Sequence, residues 1–382
     1  MPPAHRSRPL MLLLGPRLDA VSGVSSHLQA LIRSPLANRY RLRHFQVGSE
    51  GRHEGAAGRV LRLLISPVLL WMAIRRLQPA VLHLNSSLNR GAFWRDMIYV
   101  LVARLNGVKA LYQVHGGALS RFLGTGRVRR GLLRNLLSLP DVIVVLSERE
   151  LAAHRQLVPE QNIRLIPNAI DTAPYLHLPL RRYAPGRPLE LVYLGRLARE
   201  KGLYELLQAL AIARSRAVDA RLCIVGSGAE QARLKQTVDR LQLSTAVTFA
   251  GAAFGVAKLE LLSRADVLAL PSYSEGLPYA LLEGMAAGKA VLVTPVGAIP
   301  DVVTAGVHGI LVPPRDVTAL ATAIGTLAAN RATLETTGGA CRQRVATQYC
   351  MDQLVRNFSA LYDGLLPSPE LPADARCAEI EP

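Results

Sequence analysis

Short apolar runs, most of them followed by a helical pattern, recur along this chain in two series, and that alternation restricts its fold more than any other feature. The first series is Leu10–Leu14, Val81–Leu84, Ala110–Val114 and Asp141–Leu146, with Ile163–Ile166 near its end. The second is Glu190–Leu194, Arg221–Val225, Val247–Phe249, Val267–Leu270 and Ala290–Val293, followed by Gly309–Val312. Apolar runs without a polar side are how strands read when helices cover both faces of a parallel sheet. Between the runs, Gly202–Ala213 places Leu203, Leu206, Leu207, Leu210 and Ala211 on one helical face. Strand and helix in alternation predict parallel α/β sheets.

Thr172–Pro188 separates the two series and carries Pro174, Pro179, Pro185 and Pro188, the composition of a linker. The 382 residues therefore divide into a doubly wound, Rossmann-like domain over 1–172, a linker over 173–188 and a second Rossmann-like domain over 189–348. A helix over 349–366 is expected to pack back on the first domain. The Pro/Ala/Glu-rich tail, 367–382, is expected to be disordered. The two domains should face each other across a cleft. They share an architecture but no sequence repeat.

Half of the chain is hydrophobic, enough for two large cores, and aromatic residues make up only 5%. The charge is unevenly spread. Residues 1–180 hold 24 Lys and Arg against 9 Asp and Glu, a net of +15, whereas the remainder nets +2. A cationic first half points to an anionic partner, whether a membrane surface, an anionic glycan or a nucleic acid. An Arg-rich solvated surface is the competing explanation. Cys223, Cys341, Cys350 and Cys377 lie far apart with no metal-ligand spacing, so a reducing compartment and no disulfide framework are expected. Arg6 and Arg8 before Leu10–Leu14 faintly resemble a signal peptide, but the apolar stretch is too short and reads better as a buried strand. The longest apolar run, Leu63–Ile74, is interrupted by Ser66 and Pro67, so no membrane-spanning helix is predicted. With Arg59, Arg62, Arg75 and Arg76 on its flanks, it reads equally as a membrane-surface helix or a core helix.

Three stretches carry chemistry. In Tyr193–Gly202 an apolar strand ends at Gly195, a short loop carries Arg196 and Lys201, and a helix begins. Ligands of open α/β sheets sit at the carboxyl ends of strands. A helix N-terminus there favours anions, and two full positive charges make a diphosphate the natural guest. A solvated basic loop is the plainer alternative. In Pro271–Glu283, Glu275 closes a strand–loop unit and Glu283 lies in a helix-forming stretch about two turns on, so both carboxylates can face one cleft and accept bonds from sugar or ribose hydroxyls. An interaction of Glu283 with its own helix start, or a metal pair, are the alternatives, and no Asp-rich motif accompanies them. Gly226–Ser227–Gly228 follows a neighbouring strand; alone it is only a tight turn.

Taken together these stretches resemble glycosyltransferase family 4, the retaining group with the two-domain GT-B fold. The resemblance rests on Gly195–Arg196…Lys201–Gly202, Gly226–Ser227–Gly228 and Ser274–Glu275–Gly276…Glu283–Gly284, with Ile166–Asp171, Val114–His115–Gly116 and Ser22–Gly23–Val24 in family order. It implies that Arg196 and Lys201 bind the donor diphosphate, that Glu283 holds the ribose hydroxyls, and that Glu275 contacts the transferred sugar near its reacting carbon. It further implies His115 near the donor sugar across the cleft, and Gly23 where a loop approaches the phosphates. Gly226, Gly228, Gly276 and Leu277 complete the implied donor site. Ser22 stands where the family has the first glycine of its loop, and Ala169 where it has a glycine after Asn168.

The expected activity is thus hexosyl transfer from a nucleoside diphosphate sugar to a glycan or lipid-linked acceptor, without a metal. The setting expected is cell-surface polysaccharide or glycolipid synthesis, in the cytoplasm or on the inner face of its membrane. A nicotinamide-dependent dehydrogenase would need Gly-x-Gly-x-x-Gly after the first strand, and Gly15–Ala20 lacks it. The basic half permits a non-catalytic, nucleic-acid-binding protein on the same fold, but no aromatic-rich or helix-turn-helix signature supports it. Decay to a scaffold is disfavoured because the expected charged residues are all present.

Overall fold

The computed structural model describes residues 8–20, 22–48, 55–87, 89–116, 127–180 and 186–367, so the expected tail beyond Pro367, Arg6 and Cys377 lie outside the described residues. Two six-stranded sheets form, all of their pairings parallel. The first holds β1 (Leu10–Gly15), β2 (Arg41–Gln46), β3 (Val81–Ser86), β4 (Lys109–Val114), β5 (Val142–Val145) and β6 (Ile163–Leu165) in the order β2-β1-β3-β4-β5-β6. The second holds β7 (Leu189–Leu194), β8 (Ala220–Val225), β9 (Val247–Gly251), β10 (Val267–Leu270), β11 (Ala290–Val293) and β12 (Gly309–Leu311) in the order β12-β11-β10-β7-β8-β9. This is the GT-B arrangement of two doubly wound domains.

Each sheet reverses its strand order once. In the first the reversal lies between β1 and β3, in the second between β7 and β10. Crossovers leaving in opposite directions open a crevice at the carboxyl ends of those strands, where doubly wound folds bind ligands. The central strands β1 and β3 are buried along their whole length, as their apolar runs require. Strand β2 was not expected. At the sheet edge it turns Arg41 and Arg43 outward and half-buries Leu42 between them, so no apolar run marks it.

One helical expectation needs correction. Pro67 does not interrupt its segment: one helix runs Ala56–Leu77 straight through it. Proline forfeits one backbone hydrogen bond there, yet the helix continues, and Ala57–Leu77 is long and apolar enough by length and composition to cross a membrane. Nor is it a core helix. Leu70 and Ile74 are buried against the first domain, while most of its other large apolar side chains are exposed. Glu275 lies in the loop before the helix Tyr279–Ala286, and Glu283 lies within that helix, as their stretch of sequence suggests.

The last helix, Met351–Leu365, packs on the first domain. Leu354, Phe358 and Tyr362 sit in one cluster with Met11, Leu13, Val81 and Val144. The Tyr362 hydroxyl lies 2.7 Å from His83 Nδ1, and the Tyr40 hydroxyl donates to Asp363 at 2.6 Å. Between the domains, Ile170 N–H donates to the Tyr349 carbonyl at 3.0 Å and Asn168 Nδ2 to the Leu277 carbonyl at 2.8 Å.

One buried charge in the second domain gives a stability test. Lys289, just before β11, is fully buried and its Nζ has no hydrogen-bond partner among the described residues. Burial pushes its pKa down from 10.5 to about 8, with Asp266 opposing the shift. A lysine depressed in the folded state binds its proton more tightly when unfolded, so stability should rise as pH climbs from about 8 to about 10.5. Lys289→Met keeps the aliphatic stem and removes the charge. It is expected to stabilise the protein at pH 7 by at most ~3 kcal/mol and to abolish that rise. Chemical denaturation at pH 7, 9 and 10.5 measures both.

Candidate functional site

The two strand-order reversals face each other, and a cavity of about 1030 Å³ lies between them. The first domain contributes Gly23 after β1, Ser87 after β3 and His115 after β4; the second contributes Gly195 and Arg196 after β7 and Glu275 after β10. Every one of these positions lies beyond the carboxyl end of its strand.

Charge in the cavity is arranged in pairs. Lys201 Nζ meets Glu275 Oε1 at 2.7 Å, with side chains 19% and 10% exposed. Lys258 Nζ meets Glu283 Oε1 at 2.6 Å, also largely buried. Arg196 is different: its side chain is 55% exposed and, among the described residues, pairs only with Glu200, at 3.2 Å. An exposed pair of this kind contributes little, so Arg196 can leave Glu200 for a ligand at small cost. The Tyr193 hydroxyl donates to the Arg196 carbonyl at 2.8 Å and fixes the loop. Burial raises the Tyr193 phenol, with Glu275 adding to the effect, so it stays protonated and keeps donating.

Backbone conformation explains the glycines. Gly195 has φ +153° and Gly202 φ +70°; a Cβ on Gly202 would sit 2.0 Å from the Pro271 carbonyl oxygen. Gly226 and Gly228 do not line the cavity. Their Cβ atoms would meet the Gly195 and Leu197 carbonyls at 1.8 and 2.2 Å, so they make room behind the loop that carries Arg196. Gly284 lets its helix rest on Leu268 of β10. Gly23 has open space around its Cβ position and opens the helix Gly23–Arg33 at the cavity wall. Ser22, where the family pattern has glycine, caps that helix: its Oγ accepts from Ser25 N–H at 3.2 Å.

Three histidines gather on the first-domain side. His115 Nε2 lies 2.9 Å from Asn85 Oδ1, the geometry of an Nε2–H donor, which leaves Nδ1 as an acceptor without a protein partner. Burial pushes the imidazole down to about 3, with nearby His83 adding to the shift, so it is neutral at physiological pH. His27 stacks at 4.5 Å from the His115 ring and reaches across the cleft, its Nδ1 3.1 Å from the Tyr279 hydroxyl. Burial also lowers His27 well below its ordinary value, with His115 and His83 contributing. Burial thus keeps the cluster uncharged, in contrast to the ion pairs of the opposite wall.

The domains meet through bare backbone. A Cβ on Gly276 would lie 2.2 Å from the His115 carbonyl oxygen, and one on Gly116 (φ +131°) would lie 3.2 Å from the Gly276 backbone. Gly297, φ +58°, likewise leaves room for the Glu275 carbonyl. The loops bearing His115 and Glu275 are therefore in van der Waals contact.

Of the residues singled out from sequence, Gly23, His115, Arg196, Lys201, Glu275, Gly276, Leu277 and Glu283 line one cavity, whereas Gly226 and Gly228 support it from behind. Four others in the cavity or against it had not been singled out: His27, Lys258, Tyr175 and Tyr279. Lys258 stands alone on the helix Gly255–Arg264 with no motif around it, and nothing but the fold brings it to Glu283. The Tyr175 phenol, raised by burial and by Glu283, lies on the same wall. Among the described residues no group of three or more His, Cys, Asp or Glu is placed to hold a metal ion.

Comparison with known proteins identifies the family and the fold. The family described as Glycosyltransferase Family 4 matches residues 12–174, and that described as Glycosyl transferases group 1 matches residues 182–344. A putative colanic acid biosynthesis glycosyltransferase of Salmonella typhimurium is 31% identical over 210 residues, covering 53% of this chain and 51% of that protein. The match thus spans about half of that relative's length. Sucrose-phosphate synthase from Thermosynechococcus elongatus superposes with a TM-score of 0.76 at 22% identity, over 94% of this chain and 99% of that one. HepE of Anabaena, solved in complex with UDP-glucose, gives 0.72 at 17% identity, over 93% and 99%. At those identities the structures share the fold.

The glycine seam is open to test. Gly276→Ala adds one methyl against a carbonyl that cannot yield without moving a domain. It is expected to cost about 1–3 kcal/mol, as overpacking does, and to enlarge the radius of gyration in X-ray scattering while each domain keeps its core. An unchanged scattering curve would show that the strain is absorbed locally.

Proposed function

The chain belongs to glycosyltransferase family 4, within the group 1 glycosyl transferases, and from that premise we propose that it moves a hexosyl group from a nucleoside diphosphate sugar to a glycan or lipid-linked acceptor with retention at the anomeric carbon. The observation that carries this reading is the convergence of Arg196, Lys201, Glu275 and Glu283 on one cavity at the second sheet's reversal point.

In this reading the diphosphate lies against the β7 loop. Glycosidic cleavage leaves negative charge on the leaving β-phosphate oxygens. Lys201 is held in place by Glu275, and Arg196 is free to swing from Glu200 to grip two phosphate oxygens. Cations preplaced where charge develops lower the barrier without reorganising at the moment of reaction. They would supply the positive charge that a divalent ion supplies elsewhere, so we expect no metal requirement. Glu283, paired with Lys258 Nζ, accepts from the ribose hydroxyls. Glu275 faces the transferred sugar next to the departing diphosphate, with His115 across the cleft from it. The closed seam at Gly276 excludes water that would hydrolyse the donor.

The acceptor approaches from the first domain. Its net charge of +15 over residues 1–180 supports an anionic or membrane-borne acceptor, as in cell-surface polysaccharide or glycolipid synthesis on the inner face of the cytoplasmic membrane. The colanic acid relative supports the same setting.

Release of free UDP or GDP from a panel of nucleotide sugars tests the activity. A thermal-shift screen of nucleoside diphosphates and their sugars identifies base and sugar together, since a true donor raises apparent stability by linkage. Arg196→Ala is expected to slow turnover by about 30- to 1000-fold, the ~2–4 kcal/mol of one lost oxyanion donor. Turnover at the wild-type rate with every accepted donor would remove this loop from the mechanism.

A further inference from the structure

Fourteen of the nineteen large apolar side chains exposed among the described residues lie on two helices, Ala56–Leu77 and Arg90–Leu105. The helices pack side by side, with the Tyr99 hydroxyl donating to Ser66 Oγ at 2.8 Å. Leu64 is 70% exposed, Val68 54% and Leu105 77%. Scattered exposed leucines are ordinary, but a concentration like this marks an interaction surface.

Both tryptophans of the chain, Trp71 and Trp94, stand half-exposed on this same helix pair. Tryptophan favours the boundary between hydrocarbon and headgroups, where its ring is buried and its N–H hydrated. The charge pattern agrees. From Gly55 to Arg95 the sequence contains no Asp or Glu, while Arg59, Arg75 and Arg76 are exposed at the two ends of the long helix. A protein partner would be expected to meet such a surface with acids of its own, but a surface apolar in the middle and cationic at the rim also matches an anionic bilayer.

We propose that the helices Ala56–Leu77 and Arg90–Leu105 form a monotopic docking face that lies in the plane of an anionic lipid bilayer. The long helix does not cross it. Leu70 and Ile74 are buried in the first domain's core, and a crossing helix would have to withdraw them. Both helices start beyond the carboxyl edge of their preceding strands, the edge that forms the cleft. Ser87 lines the cavity, and Asn89 two residues on caps the helix that carries Trp94, its Oδ1 accepting from Ala92 N–H at 2.9 Å. The docking face therefore begins at the cavity rim, and a lipid-linked acceptor can pass from the membrane to the donor without leaving the surface. That functional meaning rests on the transfer reading; the docking itself does not.

Flotation of the full chain with vesicles tests it without donor or acceptor. The protein is expected to float with phosphatidylcholine vesicles containing phosphatidylglycerol, roughly tenfold or more tightly than with phosphatidylcholine alone. Because the chain has no other tryptophan, its emission should shift to the blue on binding. The double variant Leu64→Glu, Val68→Glu alters only exposed positions, so it is expected to melt like the wild type yet stay unbound. Wild-type protein that remains at the bottom of the gradient with both vesicle types overturns the proposal. So does a dimer in sedimentation that the double variant dissociates, since the face would then serve a second copy of the chain.

Discussion

The arrangement depends on a place where side chains are missing. At Gly116 and Gly276 two loops from different domains touch backbone to backbone, and a single added carbon on Gly276 would fall 2.2 Å from the His115 carbonyl oxygen. Only that approach brings His115 within the same cavity as Glu275. The reversal points of two separate sheets become one site because nothing larger than hydrogen stands between them. Asn168 to Leu277, His27 to Tyr279 and Glu148 N–H to Asp301 then add directional bonds around the contact. Those bonds give the interface a register that van der Waals contact alone would not.

Electrostatically the two halves of the cavity are unlike. On the second domain each largely buried carboxylate has its own lysine, Lys201 for Glu275 and Lys258 for Glu283. Leaving either acid without its partner would be costly at such burial. The first domain answers with a neutral imidazole: burial pushes His115, which lines the cavity, down to about 3. A ligand in the cavity would thus meet fixed charge on one wall and an uncharged imidazole on the other. The mobile charge is Arg196, held by a weak surface pair.

How much of this could be read from sequence depended on whether a residue's partner was local. Eleven of the twelve strands announced themselves as apolar runs; β2 did not, because an edge strand with Arg41 and Arg43 outward has polar company on one side. Arg196 and Lys201 were legible because loop and strand end are contiguous. Glu275 and Glu283 were legible as a pair because the loop and the helix that carry them are contiguous in sequence. His27 stayed hidden, as its partner Tyr279 is 252 residues away. Lys258 carries no motif, and its role appears only once the helix Gly255–Arg264 lies beside Glu283. Pro67 misled in the opposite direction. A proline weakens a helix locally, yet a helix with few other demands on its exposed side tolerates the lost bond.

The final helix, Met351–Leu365, has a consequence for synthesis on the ribosome. Phe358 and Tyr362 fill the core under β1 and β3, so the half of the protein made first is completed by residues made more than 260 positions later. A contact of such sequence separation closes late, after the intervening loop entropy has been overcome. The second domain has most of its partners within its own stretch of chain and is the natural one to settle first. Until the closing helix docks, the nascent first half carries an open apolar slot beside a strongly cationic surface. That is the interval in which the polypeptide has most to gain from a chaperone.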